Sequence, residues 1–335
     1  MRDFMDLADF SGEQVRDLIS LAKRLETRPE PDALRGKVLG LLFFNPSLRT
    51  LASFQAGMAR LGGQSFVITP QASWQLEHRA GITMDGQAAE HVREAIPVLA
   101  SYTDALGIRA FAGNVDLQAD IGEHQFRIFH ELCEVPLINM ESAANHPCQS
   151  LADWKTLDDL GVRAGNTKFV LSWAQHPKPL PLAVPAATVH MAALRGMDVT
   201  VLRPEGFELP GPVMDKARQA AERSGGSVAE TSDRDEALDG AQVVYAKSWG
   251  STRHYGDGHA DAELRAGLTD WCVDEPWFGP AAEDCRFMHC LPVRRGVVVS
   301  DRVLDGPRSV VRQQATNRMF AQMAVLYRLL KRTGS

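Results

Sequence analysis

Three short segments place polar and charged side chains where an apolar run gives way to a helical pattern. The first is residues 45–50 (NPSLRT), in which Ser47 and Thr50 carry hydroxyl groups and Arg49 carries a planar guanidinium. Backbone N–H groups at the beginning of a helix suit a phosphate, and a guanidinium matches the geometry of phosphate oxygens. The segment therefore predicts a phosphate site, although a serine helix cap beside a surface arginine would use the same residues.

Two further segments have the same character. Residues 146–149 (HPCQ) put the imidazole of His146 and the amide of Gln149 at the beginning of a second helix. Residues 289–292 (HCLP) lie at the carboxyl end of a predicted strand, and open α/β sheets bind ligands at the carboxyl ends of their strands. Each segment alone has a simpler explanation, because a histidine can cap a helix and a buried cysteine such as Cys290 is usually inert.

Strands that alternate with helices must position these segments. The apolar runs of strand length are residues 38–44, 65–69, 105–111, 136–140, 168–174, 198–203, 242–247 and 286–291. The helical patterns between them lie near residues 50–61, 88–101, 181–195 and 213–224. Alternation of this kind predicts parallel sheets, and the chain is long enough for two of them.

Three more helices complete the predicted fold. Ser11 and Gln14 have capping-box spacing at the beginning of an N-terminal helix, residues 147–160 read as a connecting helix, and an apolar stripe runs through residues 317–331. The predicted fold class is α/β, with two doubly wound parallel-sheet domains joined by interdomain helices. We expect one domain at residues 1–145 with a C-terminal helix at 312–335, and the other at 146–311. Residues 71–89 form a long stretch without a clear pattern, and such loops are often functional.

The composition excludes several classes of protein. Of the 335 residues 44% are hydrophobic, and no apolar run reaches the roughly 20 residues that span a bilayer. A net charge of −6 disfavours a nucleic-acid binder, and the five cysteines lack a CxxC pair, so we expect free thiols and no structural zinc. The first ten residues lack the pattern of a signal peptide, which favours a cytoplasmic location.

Taken together, the three polar segments resemble the transcarbamoylase family, in which S-x-R-T, H-P-x-Q and H-C-L-P segments meet around carbamoyl phosphate. The resemblance covers nearly the whole chain and is closest to the branch that acts on N-acetyl- or N-succinyl-ornithine, through FFNPSLRT, MDG, HPCQ, HPKPL, YAKSWG and HCLPVRR. It implies a transcarbamoylase-like homotrimer that needs no metal or organic cofactor. The implied reaction carries the carbamoyl group to the side-chain amine of an acylated ornithine, in arginine biosynthesis.

The resemblance also implies roles for single residues. The first domain would bind carbamoyl phosphate and the second the acyl-ornithine. The implied carbamoyl phosphate site comprises Ser47, Leu48 through its backbone, Arg49, Thr50, Trp74 from a neighbouring subunit, Arg109, His146, Gln149, Cys290, Leu291 and Arg318. Four of these would be catalytic: Arg109, His146 and Gln149 would face the carbamoyl group, and Cys290 would orient the amine together with the carbonyl of Leu291.

The acceptor site is implied to contain Glu141, His176, Lys247 and Arg294. Ordinary ornithine transcarbamoylases share an aspartate-containing segment at the place where this chain, by the same resemblance, has YAKSWG. Lys247 lies in that segment. A lysine there would repel the α-ammonium group of free ornithine but would attract the α-carboxylate of an acylated one. The pattern favours an N-acylated substrate.

The choice between acetyl and succinyl rests on a position shortly after the MDG turn. By the same resemblance, acetyl-specific relatives have a glutamate at this position and succinyl-specific relatives have a proline. This chain has Ala89. Alanine brings no charge to repel a succinyl carboxylate, so we expect N-succinylornithine, with N-acetylornithine as the alternative if Glu90 takes the place of the glutamate. Val298, where acetyl-specific relatives carry a lysine, also favours succinyl, while Leu51 replaces a second arginine of the phosphate segment.

Three other functions are open to the same residues. A Cys–His hydrolase could use Cys290 with His289 or His146, but neighbouring side chains on a strand point to opposite faces, which disfavours the first pair. A dinucleotide-binding oxidoreductase would need a G-x-G-x-x-G segment after residues 38–44 or 168–174, and neither run has one. A non-catalytic relative that only binds the ligand would not need all of the polar residues named above.

Overall fold

The computed structural model describes residues 1–69 and 74–331. The chain forms two compact units. Unit 1 contains Met1–Ala112, Gly122–Cys148 and the chain from Arg318 onward, and unit 2 contains Gly113–Ile121 and Gln149–Asn317. The assignment of residues 1–145 with 312–335 to one functional domain and of 146–311 to the other stays a prediction.

The strands are, in chain order, β1 Val38–Phe43, β2 Gln64–Ile68, β3 Gln75–Glu77, β4 Ala88–His91, β5 Ala105–Arg109, β6 Leu137–Glu141, β7 Lys168–Trp173, β8 Asp198–Leu202, β9 Ser227–Thr231, β10 Val243–Lys247 and β11 Arg286–Met288. The α-helices are α1 Gly12–Thr27, α2 Leu48–Arg60, α3 Val92–Ser101, α4 Leu117–Ile121, α5 His124–Leu132, α6 Pro147–Asp159, α7 Ala183–Leu194, α8 Gly211–Ser224, α9 Arg234–Leu238, α10 Gly258–Ala266, α11 Asp301–Asp305 and α12 Val311–Leu330. No helix in the described ranges is long and apolar enough to cross a membrane.

The main sheet of unit 1 is parallel, with strand order β2-β1-β5-β6. Every residue of β5 and β6 is buried, as expected for parallel strands that are covered on both faces. The chain leaves β1 toward β2 on one side and returns to β5 on the other. The order therefore reverses between β1 and β5, and an open α/β sheet binds its ligand at such a switch point.

The sheet of unit 2 is also parallel, with strand order β11-β10-β7-β8-β9. Its order reverses between β7 and β10, which are buried along nearly their whole length. Trp173 at the end of β7 packs against Phe207 and Trp271, with ring centroids 4.7 and 5.8 Å away. Aromatic packing therefore supports the carboxyl end of β7.

The two predicted parallel sheets are confirmed, and the differences are local. Residues 88–91 belong to β4, which pairs with β3, and the helix predicted from 88 begins only at Val92. The sequence pattern missed β9, because an edge strand with alternating exposure lacks the continuous apolar run of its neighbours. The last helix begins at Val311, earlier than its apolar stripe suggested.

Candidate active site

The phosphate segment lies at the carboxyl end of β1, where it opens α2. Ser47 caps the helix: its Oγ accepts the N–H of Thr50 at 3.3 Å and lies 3.0 Å from the Thr50 Oγ1. The backbone there is accessible, since Leu48 is 81% exposed. Ser47 is therefore both a helix cap, as in the simpler explanation, and part of a donor-rich helix beginning.

Arginines of unit 1 converge on this helix beginning. The buried Arg318 in α12 donates from Nη2 to the Thr50 Oγ1 at 2.7 Å. Burial lowers the pKa of Arg318, and the positive charges of Arg109 and Arg49 lower it further, while Cys148 and Glu141 oppose the shift. The positive charges of these arginines lie near one another, so this corner of unit 1 suits an anion such as a phosphate.

Arg109, Glu141 and His146 form a buried cluster beside the arginines. The pairing of β5 with β6 shifts register after Ile108, which places Arg109 opposite Glu141. The Arg109 guanidinium donates to the Glu141 carboxylate and lies 4.5 Å from the ring centroid of Phe111. The His146 Nε2 lies 3.4 Å from the Glu141 Oε2. Glu141 thus holds two cationic or polar donors in place, in addition to any role in binding the acceptor.

In unit 2, Gln149 is fixed by a carboxylate that is not among the predicted site residues. Asp153, one helical turn further along α6, accepts from the Gln149 Nε2 at 2.8 Å and from the Gln314 Nε2 at 2.7 Å. Gln314 in turn accepts the backbone N–H of His289 at 3.0 Å. Only the spacing of four residues from Gln149 marked Asp153 in the sequence, and its second partner, Gln314, lies 161 residues away along the chain.

The HCLP segment turns sharply where β11 ends. Leu291 has a left-handed backbone with φ 54°, which is costly for a residue with a branched side chain. The His289 Nδ1 accepts the N–H of Leu291 at 2.9 Å, so that nitrogen supports the turn. The buried Cys290 directly precedes Leu291 in this turn. The five cysteines form no disulfide, and burial raises the pKa of Cys148 to about 12.

His176, Lys247 and Arg294 come together at the switch point of unit 2. Lys247 ends β10. His176 follows β7, the strand that pairs with β10. The His176 Nε2 accepts from the Arg294 Nε at 3.1 Å, which leaves Nδ1 to donate to the carbonyl of Lys178 at 2.8 Å. Burial lowers the pKa of His176 most, and the charges of Arg294 and Lys247 lower it further. The positive charges of Lys247 and Arg294 beside this imidazole suit a carboxylate.

Trp74 and the specificity position lie together on the small β3–β4 ribbon of unit 1. Trp74 is 53% exposed, and its indole Nε1 donates to the Glu90 Oε2 at 2.8 Å. Ala89 is exposed and is adjacent to Glu90 in β4. The pairing of β3 with β4 shifts register here, from Gln75 opposite Ala88 to Leu76 opposite Glu90, so Ala89 is the extra residue of a bulge. Of the loop predicted at residues 71–89, positions 71–73 lie outside the described residues.

The chain is similar to known proteins along nearly its whole length. Residues 2–159 match the carbamoyl-P binding domain of aspartate/ornithine carbamoyltransferases, and residues 184–329 match their Asp/Orn binding domain. The N-acetylornithine carbamoyltransferase of Xanthomonas axonopodis pv. citri is 37% identical, over 100% of this chain and 98% of that protein. The N-succinylornithine carbamoyltransferase of Bacteroides thetaiotaomicron is 35% identical, over 89% of this chain and 88% of that protein.

A solved structure shares the whole fold. It is an N-acetyl-L-ornithine transcarbamylase in which one glutamate is replaced by alanine, in complex with carbamyl phosphate and N-succinyl-L-norvaline. It is 37% identical to this chain with a TM-score of 0.94, over 98% of this chain and 100% of that one. This chain belongs to the aspartate/ornithine carbamoyltransferase family and is a transferase.

Proposed function

We propose that this chain transfers the carbamoyl group of carbamoyl phosphate to the δ-amine of N-succinyl-L-ornithine, giving N-succinyl-L-citrulline and phosphate, in arginine biosynthesis. The observation that carries the choice of an acylated acceptor is the group of His176, Lys247 and Arg294 at the switch point of unit 2. This group attracts an α-carboxylate and repels an α-ammonium. Acylation of the α-amine removes that positive charge and with it the repulsion.

Carbamoyl phosphate binds to unit 1 in this proposal. Its phosphate lies at the beginning of α2, where it accepts from the Leu48 N–H, the hydroxyls of Ser47 and Thr50, and the guanidiniums of Arg49 and Arg318. Trp74 completes the site of a neighbouring subunit in a homotrimer. The exposed indole, which stands on a short ribbon rather than in the core, supports that role.

The chemistry follows from the charges that develop. The δ-amine attacks the carbamoyl carbon, so a C–N bond forms while the carbonyl oxygen becomes an oxyanion. Arg109 and His146 donate to that oxygen, and preorganised donors of this kind often lower the barrier more than any other single effect. The Gln149 amide has both a donor and an acceptor, which matches a carbamoyl group. When the oxyanion collapses, the C–O bond breaks, and the departing phosphate takes the proton of the amine.

Cys290 and the Leu291 carbonyl orient the attacking amine, so we expect the thiol to be a positioning group and not a nucleophile. Iodoacetamide at neutral pH then labels Cys290 more slowly than the partly exposed Cys272, and carbamoyl phosphate slows labelling of Cys290 further. Mass spectrometry of labelled peptides measures both rates in one sample. Rapid stoichiometric labelling of Cys290 would instead support the Cys–His hydrolase.

Ala89 supports the succinyl acceptor. A side chain without charge does not repel the distal carboxylate of a succinyl group, and the relative described above binds a succinyl ligand when a glutamate has become alanine. N-acetyl-L-ornithine is the alternative acceptor. Glu90 favours the acetyl compound, because the hydrogen bond from the Trp74 indole keeps the Glu90 carboxylate next to the indole in whichever site the indole enters.

A citrulline-type colour assay with ornithine, N-acetylornithine and N-succinylornithine tests both proposals. We expect turnover of the succinyl compound, and we expect Ala89→Glu to lower its kcat/KM by about 10- to 100-fold through like-charge repulsion, with a smaller effect on the acetyl compound. Glu90→Gln serves as the matched control for the second carboxylate. Preference of the wild type for N-acetylornithine, with turnover of the succinyl compound gained only in Glu90→Gln, would replace the succinyl proposal with the acetyl one.

A further inference from the structure

Glu123 makes a set of contacts that the proposed reaction does not explain. It precedes α5 in a left-handed backbone conformation with φ 54°, which is rare outside glycine, asparagine and aspartate. Its carboxylate accepts from the Ser142 hydroxyl at 2.6 Å, from the Ala144 N–H at 2.9 Å and from the Ala143 N–H at 3.3 Å. All three donors belong to the loop between β6 and α6.

That loop joins two members of the candidate active site. Glu141 ends β6 immediately before the loop, and His146 follows immediately after it. The loop is a tight turn, in which the Ser142 N–H donates to the Asn145 carbonyl at 2.9 Å and Asn139 donates to the Ser142 Oγ at 2.8 Å. Successive N–H groups that converge on one anion form a backbone nest. Here the anion is supplied by the protein itself.

The carboxylate is held there at a cost. Burial raises the pKa of Glu123 to about 6, and the nearby negative charge of Asp6 adds to the rise, although the three hydrogen bonds oppose it. The folded chain therefore binds this proton more tightly than the unfolded chain does. As the pH rises from the ordinary pKa of a glutamate toward 6, Glu123 ionises and the free energy of unfolding falls. A strained backbone and an unfavourable ionisation at one residue are typical of a functional constraint.

We propose that Glu123 is a positioning residue for carbamoyl transfer: it holds residues 142–145 so that Glu141 and His146 keep their places around the reacting group. This inference rests on the proposed role of His146. A loop that is loosened by even an ångström would misplace the imidazole and could cost about 100-fold in rate. Binding of the acyl-ornithine, whose α-carboxylate is held by unit 2, would be affected less than the rate and only through Glu141.

Glu123→Gln tests the inference, because it keeps the shape of the side chain but replaces one acceptor oxygen by a donor that faces other donors. We expect kcat to fall about 10- to 100-fold, while KM for the acyl-ornithine changes by a smaller factor than kcat. Hydrogen exchange of the Ala143 and Ala144 amides should become faster. Glu131→Gln, at an exposed position on α5, is the matched control, and its kcat and amide exchange should equal those of the wild type.

Ser142→Ala removes one donor without touching Glu123, and it covers the case in which Glu123→Gln fails to fold. We expect a smaller loss of kcat and faster exchange in the same loop. Equal kcat and equal amide exchange in the Glu123, Glu131 and wild-type proteins would overturn the inference and leave the proposed function intact. A wild type that carbamoylates no ornithine derivative would instead defeat the proposed function, and the exchange rates alone would then decide whether Glu123 holds the loop.

Discussion

Arg109→Lys lowers kcat by about 100- to 1000-fold in the mechanism proposed here, the effect expected when one oxyanion donor is lost. Lysine keeps the positive charge next to Glu141 and so limits the damage to the fold. It cannot reproduce the planar fork that donates to Glu141 and to a developing oxyanion at the same time. Because that oxygen gains charge only in the transition state, KM for carbamoyl phosphate should change far less than kcat.

Steady-state kinetics with the colour assay measure this effect, with far-ultraviolet circular dichroism and thermal unfolding as checks of the fold. Arg127→Lys, at an exposed position on α5, is the control for a simple Arg-to-Lys exchange in unit 1 and should keep wild-type kinetics. A rise in KM with unchanged kcat would show that Arg109 binds ground state and transition state equally, which would remove it from the catalytic group.

Lys247→Met lowers kcat/KM for the acyl-ornithine by about 30- to 100-fold, or roughly 2 to 3 kcal/mol, if its ammonium binds the α-carboxylate. Methionine keeps most of the length and apolar surface of the lysine, so β10 and its packing should survive. Arg294 and His176 remain to bind the carboxylate, which limits the loss. KM for carbamoyl phosphate, which binds to unit 1 in the proposal, should stay near the wild-type value.

A second readout does not depend on turnover. The positive charge of Lys247 contributes to lowering the pKa of His176, so removing that charge must raise the pKa of His176, and NMR titration of the imidazole measures the change. Lys178→Met, an exposed lysine whose backbone carbonyl accepts from the same ring, is the control. Wild-type activity on free ornithine, or a Lys247→Met protein with unchanged kinetics, would contradict the charge argument for an acylated acceptor.

Much of the site was predictable because its residues are marked by local chemistry. Ser47 and Thr50 were recognisable as donors at a helix beginning, and the structure shows that helix beginning and its cap. His146 and Gln149 stood at a second strand-to-helix junction, and α6 begins there as predicted. Such signals are short-range, since a few consecutive residues decide where a helix begins and which donors it offers.

The supporting residues were not predictable in the same way. Asp153, Gln314 and Glu123 act through partners that are distant in the sequence, such as Ser142 for Glu123 and His289 for Gln314. From the sequence alone, a polar side chain on or next to a helix is normally expected to be exposed. Only the strand or loop that packs against it gives it a supporting role. The left-handed conformations of Glu123 and Leu291 likewise have no counterpart in residue type, because glycine is the residue that commonly occupies that region.

The sequence by itself determined the alternation of strands and helices, the helix beginnings and the types of side chain that end the strands, because periodicity and capping are local properties. Only the tertiary structure decided which strand ends meet. The order of strands in each sheet brings Arg109 beside the segment that follows β1, and His176 beside Lys247, through parallel pairing of strands far apart in the chain. That pairing depends on the burial of both faces of the sheet, which is a property of the whole unit and not of any one segment.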